Sequence, residues 1–356
     1  MEKKRILNAP LPENTALIRY NVLRVIARGS FSFVYLAENS KKQLVAIKEY
    51  MPQKLLLREQ EKLDLTISPE QRQEFRKFLR CFVSECRTLS CVTHPGIVRV
   101  IDFFRGHNTF YIVMSYAPGS SLKEFIRRRV DNRMFRNKDS LFNAYLRYRH
   151  YKKQLIGSRQ VIGERSINRI FSQLIDGISM LHDQELLYLD LKPANIYLRH
   201  DGTSILLDFG AVRRTSEKNP KELSWILTRS FAAPELVKKQ QSLMGPWTDA
   251  YSIGATIFAC LCGHAPQTAE QRLVKDQLPQ SLRALGKMYS SDLLGLVEWC
   301  MCLEPERRPQ TMAELQDRLL ACQLNSPPAP RKKLIRRLSK WVQKKMKAAS
   351  PVSKYS

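Results

Sequence analysis

The chain has 356 residues and 44 % hydrophobic content, enough for one large domain or two moderate ones with a proper core. Met1-Glu2-Lys3-Lys4-Arg5 is not followed by the apolar core of a signal peptide, and the longest apolar run, Ile253–Cys262, is too short to span a bilayer. The formal charge of +26 is concentrated: residues 127–165 carry twelve Lys/Arg against three Asp/Glu, and residues 331–347 carry nine and no acid, which points to local anionic partners and not to a uniformly basic surface.

In chain order, three strands come first. Val22–Ile26, Phe33–Ala37 and Leu44–Lys48 are rich in β-branched and aromatic residues and are separated by Gly29 and by Lys41-Lys42. Residues 69–91 read as a helix, with Phe75, Phe78, Leu79, Phe82, Val83, Cys86 and Leu89 at helical spacing. Strands are expected again over 97–103 and 109–116. Helices dominate from Ser121 on. Ser166–His182 is amphipathic, Thr248–Leu261 reads as a buried helix, and Asp292–Cys302 and Thr311–Leu320 follow, the last with Thr311 as N-cap and Glu314 at the capping-box position. The eight cysteines include two C-x-C pairs (Cys260/Cys262, Cys300/Cys302) and no C-x-x-C, which favours buried reduced thiols over a zinc site. A Pro-rich break at Asn325–Pro330 precedes the tail.

The most informative stretch is Tyr188-Leu189-Asp190-Leu191-Lys192-Pro193-Ala194-Asn195, followed by Asp208-Phe209-Gly210. Phosphoryl transfer needs positioning and charge neutralisation more than covalent chemistry, and these residue types supply it. Asp190 can accept a proton from an attacking hydroxyl, Lys192 can neutralise a moving phosphoryl group, and Asn195 and Asp208 can hold metal ions against a nucleotide. Elsewhere stand Ala27-Arg28-Gly29-Ser30-Phe31-Ser32-Phe33-Val34, Val45-Ala46-Ile47-Lys48, Glu85 on the first helix, Tyr111–Gly119 and Thr228-Arg229-Ser230-Phe231-Ala232-Ala233-Pro234-Glu235.

In this order, over about residues 20–320, these segments resemble a eukaryotic-type (Hanks-type) serine/threonine protein kinase. The segment beginning Lys48-Glu49-Tyr50-Met51-Pro52 is similar to bacterial members. The resemblance implies an α+β, bilobal fold: a β-rich N-lobe with one main helix and a mostly helical C-lobe. The expected divisions are an extension over 1–19, the N-lobe over 20–116, and the C-lobe over 117–323 with a basic insertion at about 127–165. A linker over 324–330 and a basic amphipathic tail over 331–356 complete the chain. ATP would lie between the lobes. Gly29 and Ser30 would approach its phosphates, Val34 and Ala46 would cover the adenine, Met114 would be the gatekeeper, and Ser115 to Ala117, including Tyr116, would offer hinge groups. Lys48, paired with Glu85, would hold the α- and β-phosphates, and Mg2+ (or Mn2+) would sit on Asn195 and Asp208. Asp190 and Lys192 would be catalytic, with Thr228 bridging them. Asp249 would anchor the catalytic loop, and Arg308 would pair with Glu235.

Three departures matter. Only one glycine of the family's phosphate loop is kept. Leu189 stands where the family has the arginine that would bind a phosphorylated activation loop, so weak dependence on modification of Thr215, Ser216 or Ser224 is expected. The third departure is length: Lys48 to Glu85 and Leu122 to His182 both span more residues than a minimal kinase needs. The rival readings are a kinase-fold scaffold without activity and a small-molecule phosphotransferase; nucleic-acid binding alone would explain the charge but not the ordered motifs. The expected partners are protein substrates, and for 331–347 an anionic membrane surface or an acidic partner. The expected location is cytoplasmic, peripheral at a membrane if the tail binds lipid, with delivery into another cell left open.

Overall fold

A computed structural model describes residues 9–29, 31–52, 55–58, 63–134, 160–215 and 228–324. Ser30, Ser216, Ser224, most of the basic insertion, nearly all of the linker and the whole tail lie outside the described residues.

The N-lobe is built on a six-stranded antiparallel sheet. Its strands are β1 (Ala16–Leu17), β2 (Tyr20–Arg28), β3 (Ser32–Asn39), β4 (Leu44–Tyr50), β7 (Val100–Gly106) and β8 (Thr109–Ser115), ordered β1-β2-β3-β4-β8-β7. Period-two alternation divides its side chains between two cores. Val45, Ile47, Tyr111 and Val113 join an outer cluster with Leu11, Tyr35 and Met51, whereas Ala46, Ile112 and Met114 face the main core shared with the C-lobe. Lys48 follows this alternation on the same strand as Ala46 and pairs with Val34 and Ile112. The helix expected over 69–91 starts as a 3-10 turn at Pro69–Gln71 and becomes α1 at Arg72–Cys91, because Pro69 suits the first helical position. The strand expected over 97–103 starts later, at Val100. Gly96 and Val98 instead exchange backbone hydrogen bonds with Leu206 of the C-lobe (2.8 and 3.1 Å).

Between β4 and α1 the chain forms a small hairpin, β5 (Leu56–Leu57) with β6 (Thr66–Ile67), over the outer face of the sheet. Its anchor is Arg58, fully buried against the fully buried Glu49. Arg58 Nη1 donates to Glu49 Oε2 at 3.0 Å and Nη2 makes a short bond to Oε1; Tyr35 Oη (2.6 Å) and Tyr111 Oη (2.9 Å) donate to the same carboxylate.

The C-lobe comprises α2 (Leu122–Met134), α3 (Glu164–His182), α4 (Pro234–Val237), α5 (Pro246–Cys262), α6 (Ala269–Val274), α7 (Leu278–Leu285), α8 (Ser291–Cys300) and α9 (Met312–Leu324). Short strands β9 (Gly119–Ser121), β10 (Leu186–Leu187), β11 (Ile196–Arg199), β12 (Ser204–Leu206) and β13 (Arg213–Arg214) line its upper edge. Helix α5 is the axis: every residue from Thr248 to Leu261 is buried. At α9 the Thr311 hydroxyl accepts from the Glu314 amide (3.2 Å), but the Glu314 carboxylate reaches back to the amide of Gln310 (2.9 Å), one residue before the expected partner. Cys260 and Cys300 are buried free thiols, and burial pushes both well above the ordinary thiol range. No described helix is long and apolar enough to cross a membrane.

Candidate active site

The loop expected to be catalytic is held from below by Asp249 on α5. Its fully buried carboxylate accepts from the amides of Tyr188 (2.8 Å) and Leu189 (2.7 Å) and meets His182 Nε2 at 2.8 Å. These bonds offset the cost of Leu189's left-handed backbone (φ 64°), a conformation that disfavours side chains with a Cβ. The Leu189 side chain is buried with Leu187, Ala211, Ala232 and Leu236. Where the resemblance places a phosphate-binding arginine, the chain has apolar packing that touches both ends of the segment 211–232.

Four functional groups meet just beyond. Lys192 Nζ donates to Asp190 Oδ2 (2.6 Å) and to Thr228 Oγ1 (2.9 Å), and Asn195 Nδ2 donates to the Asp190 carbonyl (2.9 Å) and to Oδ2 (3.0 Å). Thr228 is therefore tied to Asp190 through Lys192; the expected direct bridge is not among the described bonds. Asp190 Oδ2 is committed to two donors, leaving Oδ1 with none among the described residues. Burial raises the Asp190 carboxyl to about 6, against the opposing pull of Lys192.

Hairpin β11–β12 carries the chain to Asp208, also left-handed at φ 59°. Lys48 Nζ crosses from the N-lobe to Asp208 Oδ1 at 3.2 Å. Desolvation in the cleft opposes ionisation of Asp208, but Lys48 and Lys192 outweigh it and hold the carboxyl below its ordinary range. Phe209 is buried beneath it, edge-on to the Tyr188 ring at 5.3 Å, and Tyr188 Oη bonds the Leu207 carbonyl. Glu85 lies on α1, and its side chain is outside the described ones.

On the other side of the cleft, Met114 pairs with Ala46 across β8 and β4, and Val34 pairs with Lys48 on β3. Tyr116 and Ala117 follow β8, and Tyr197 Oη on β11 donates to the Ala117 carbonyl at 3.1 Å, so one backbone group of this connector already has a protein partner. At Gly29 an added Cβ would make only ordinary contacts with Ser32 at 3.6 Å, so the chain's own packing does not demand glycine there. Arg308 holds Glu235 in a buried bidentate pair (2.8 and 3.1 Å), with Thr248 Oγ1 donating to the same carboxylate at 2.8 Å.

The donor set fits a divalent cation held together with phosphates. Asp208 is ionised with its side chain 47 % exposed. Asn195 donates through Nδ2, and its amide oxygen has no protein donor among the described residues. Hard oxygens from one or two protein groups, with phosphate completing the shell, are what magnesium takes. Among the described residues no cluster of three or more His, Cys, Asp or Glu could cage a metal alone. Two features escaped the sequence. Arg58, which follows three leucines, carries no sequence signal of a buried partner. Leu189 stands out as a departure, but nothing in the sequence says what it packs against.

The protein kinase domain model matches residues 20–320. The chain is 26 % identical to the serine/threonine-protein kinase STE20 of Saccharomyces cerevisiae, over 71 % of this chain and 24 % of that protein. It is 27 % identical to the serine/threonine-protein kinase PrkC of Bacillus subtilis, over 71 % of this chain and 32 % of that one. The chain thus spans about a quarter to a third of these relatives' lengths. Among solved structures, "PpkA-294 apo form" superposes with a TM-score of 0.69 at 26 % identity, covering 87 % of this chain and 99 % of that one.

Proposed function

This chain belongs to the protein kinase family, and we propose that it transfers the γ-phosphoryl group of ATP to serine or threonine hydroxyls of proteins. The observation that carries this reading is the convergence of Asp190, Lys192, Asn195 and Thr228 opposite the inter-lobe pair Lys48–Asp208. In this reading Asp190 Oδ1, the oxygen without a donor among the described residues, orients the acceptor hydroxyl and takes its proton. Lys192 fixes the other carboxylate oxygen and places positive charge beside the path of the phosphoryl group. Asn195 and Asp208 would hold Mg2+, which when bound neutralises phosphate charge. Lys48 would leave Asp208 for the nucleotide phosphates, and Glu85 sits on the helix from which it could steady Lys48. Val34, Ala46 and Met114 would enclose the adenine, with Gly29 and Ser30 over the phosphates and Tyr116 at the hinge. Lys192 and Thr228 favour a protein Ser/Thr acceptor over a small molecule. The tail over 331–347 keeps its reading as a contact for anionic lipid or an acidic partner, on sequence pattern alone.

The test is transfer from γ-labelled ATP with magnesium to a generic acceptor protein, followed by phosphoamino-acid analysis. Label on serine or threonine is expected. ATP binding without any transfer would contradict the reading in favour of an inactive scaffold.

A further inference from the structure

The surface beside the catalytic loop carries charge that the phosphoryl-transfer groups do not use. Helix α2 packs against β9 and β11, and its second residue, Lys123, donates its amide to the Pro193 carbonyl of the catalytic loop at 2.9 Å. Lys123 and Arg127, one helical turn apart and so on one face, are both exposed. Neither has an ion-pair partner among the described residues. Of the two acids on the helix, Glu124 takes Arg128 (2.6 Å) and Asp131 lies one turn beyond Arg127, while in the cleft Asp190 takes Lys192 and Asp208 takes Lys48. Ala194, exposed on the catalytic loop itself, adds no charge. Helix α2 carries five Lys/Arg against two acids.

An acceptor peptide lying extended across Asp190 advances roughly 3.3 Å per residue, so side chains two to four positions from the acceptor lie roughly 7–13 Å from it. Lys123 stands beside that path, since its amide is bonded to a residue three positions from Asp190, and Arg127 lies one turn further along the same face. A basic flank would meet uncompensated cations there, and an acidic flank would pair with them. Resting on the protein-kinase reading above, we propose that Lys123 and Arg127 select protein substrates with Asp or Glu two to four positions from the phosphorylated residue, on one flank.

The experiment uses the full chain and sets of peptides identical except for four Glu, four Ala or four Lys, placed before or after one serine. Wild type is expected to favour Glu over Lys on one flank by about tenfold in kcat/KM, a preference that shrinks as salt is raised. The Lys123→Glu/Arg127→Glu variant is expected to lose or invert that ratio, and Lys123→Gln/Arg127→Gln to fall between; KM for ATP in each variant reports that the cleft is folded. Equal use of the peptides by wild type, preference for Lys, or an unchanged ratio in both variants overturns the proposal while leaving the kinase reading intact. An unchanged ratio with lost sedimentation on phosphatidylserine vesicles assigns the surface to a membrane and overturns it too. Transfer to no peptide and no protein overturns the kinase reading itself.

Discussion

Asp190 is under two opposed demands. In the proposed reaction its carboxyl must be ionised to take a proton, yet burial raises it from 3.8 to about 6. The folded state thus binds the proton more tightly than the unfolded chain. The stability this contributes is complete below about pH 4 and is lost as pH rises through about 6. At neutral pH the ionised carboxylate costs on the order of 2–3 kcal/mol. Asp190→Asn should therefore melt higher than wild type at about pH 8, with the gap closing toward about pH 5, while transfer falls by about a thousandfold or more; thermal unfolding at both pH values checks it. In wild type kcat/KM should fall as pH drops through about 6, because Oδ1 then carries a proton. Leu189 belongs to the same scale. It is buried with Ala211, Ala232 and Leu236 where the resemblance places an arginine, and we propose that this apolar packing takes the place of a charge latch. Phosphatase-treated protein should keep its activity, and Leu189→Ala should cost roughly 2–4 kcal/mol in denaturant unfolding. Inactivity after dephosphorylation, restored by modification of Thr215, Ser216 or Ser224, would contradict this.

Strand β4 carries Lys48 toward the cleft and Glu49 toward the outer face, so one strand joins the catalytic side to the buried Arg58 anchor. A buried ion pair is weak evidence for net stability, but breaking one side of it leaves a charge with no counter-ion. Glu49→Gln or Arg58→Met alone should destabilise by about 3–5 kcal/mol, and the double variant by less than the sum, in a denaturant double-mutant cycle. Full additivity would show that the two do not interact. The long elements were legible because their patterns were strong. Residues 20–50 form pleats with β-branched side chains, and Thr248–Leu261 is mostly apolar because it is buried on all sides, its buried polar groups such as Asp249 being hydrogen-bonded. The β5–β6 hairpin was not legible, since two-residue strands carry no periodicity and tertiary packing on the outer face decides them. The start of the 97–103 strand slipped for a similar reason: Val98 is apolar and β-branched, but its amide is used by the C-lobe.

At the scale of the molecule, the order of motifs across residues 20–320 revealed the two-lobed fold, because the proposed phosphoryl transfer needs Lys48 in one cleft with Asp190, Asn195 and Asp208, which lie more than a hundred residues further along the chain. What the sequence could not show was that Thr228 is tied to Asp190 through Lys192; the anchoring of the loop by Asp249 was already implied by the resemblance. The surplus of positive charge also reads at this scale. Beside the cleft it takes the form of exposed Lys123 and Arg127, so transfer to acidic substrates should weaken with ionic strength more than transfer to neutral ones. The most direct measurement of the central claim is phosphoryl transfer to a protein acceptor by wild type, Asp190→Ala and Asp208→Ala, each shown by thermal unfolding to be folded. The account predicts robust transfer by wild type and a loss of about a thousandfold or more in each variant. Transfer that survives both substitutions would contradict it.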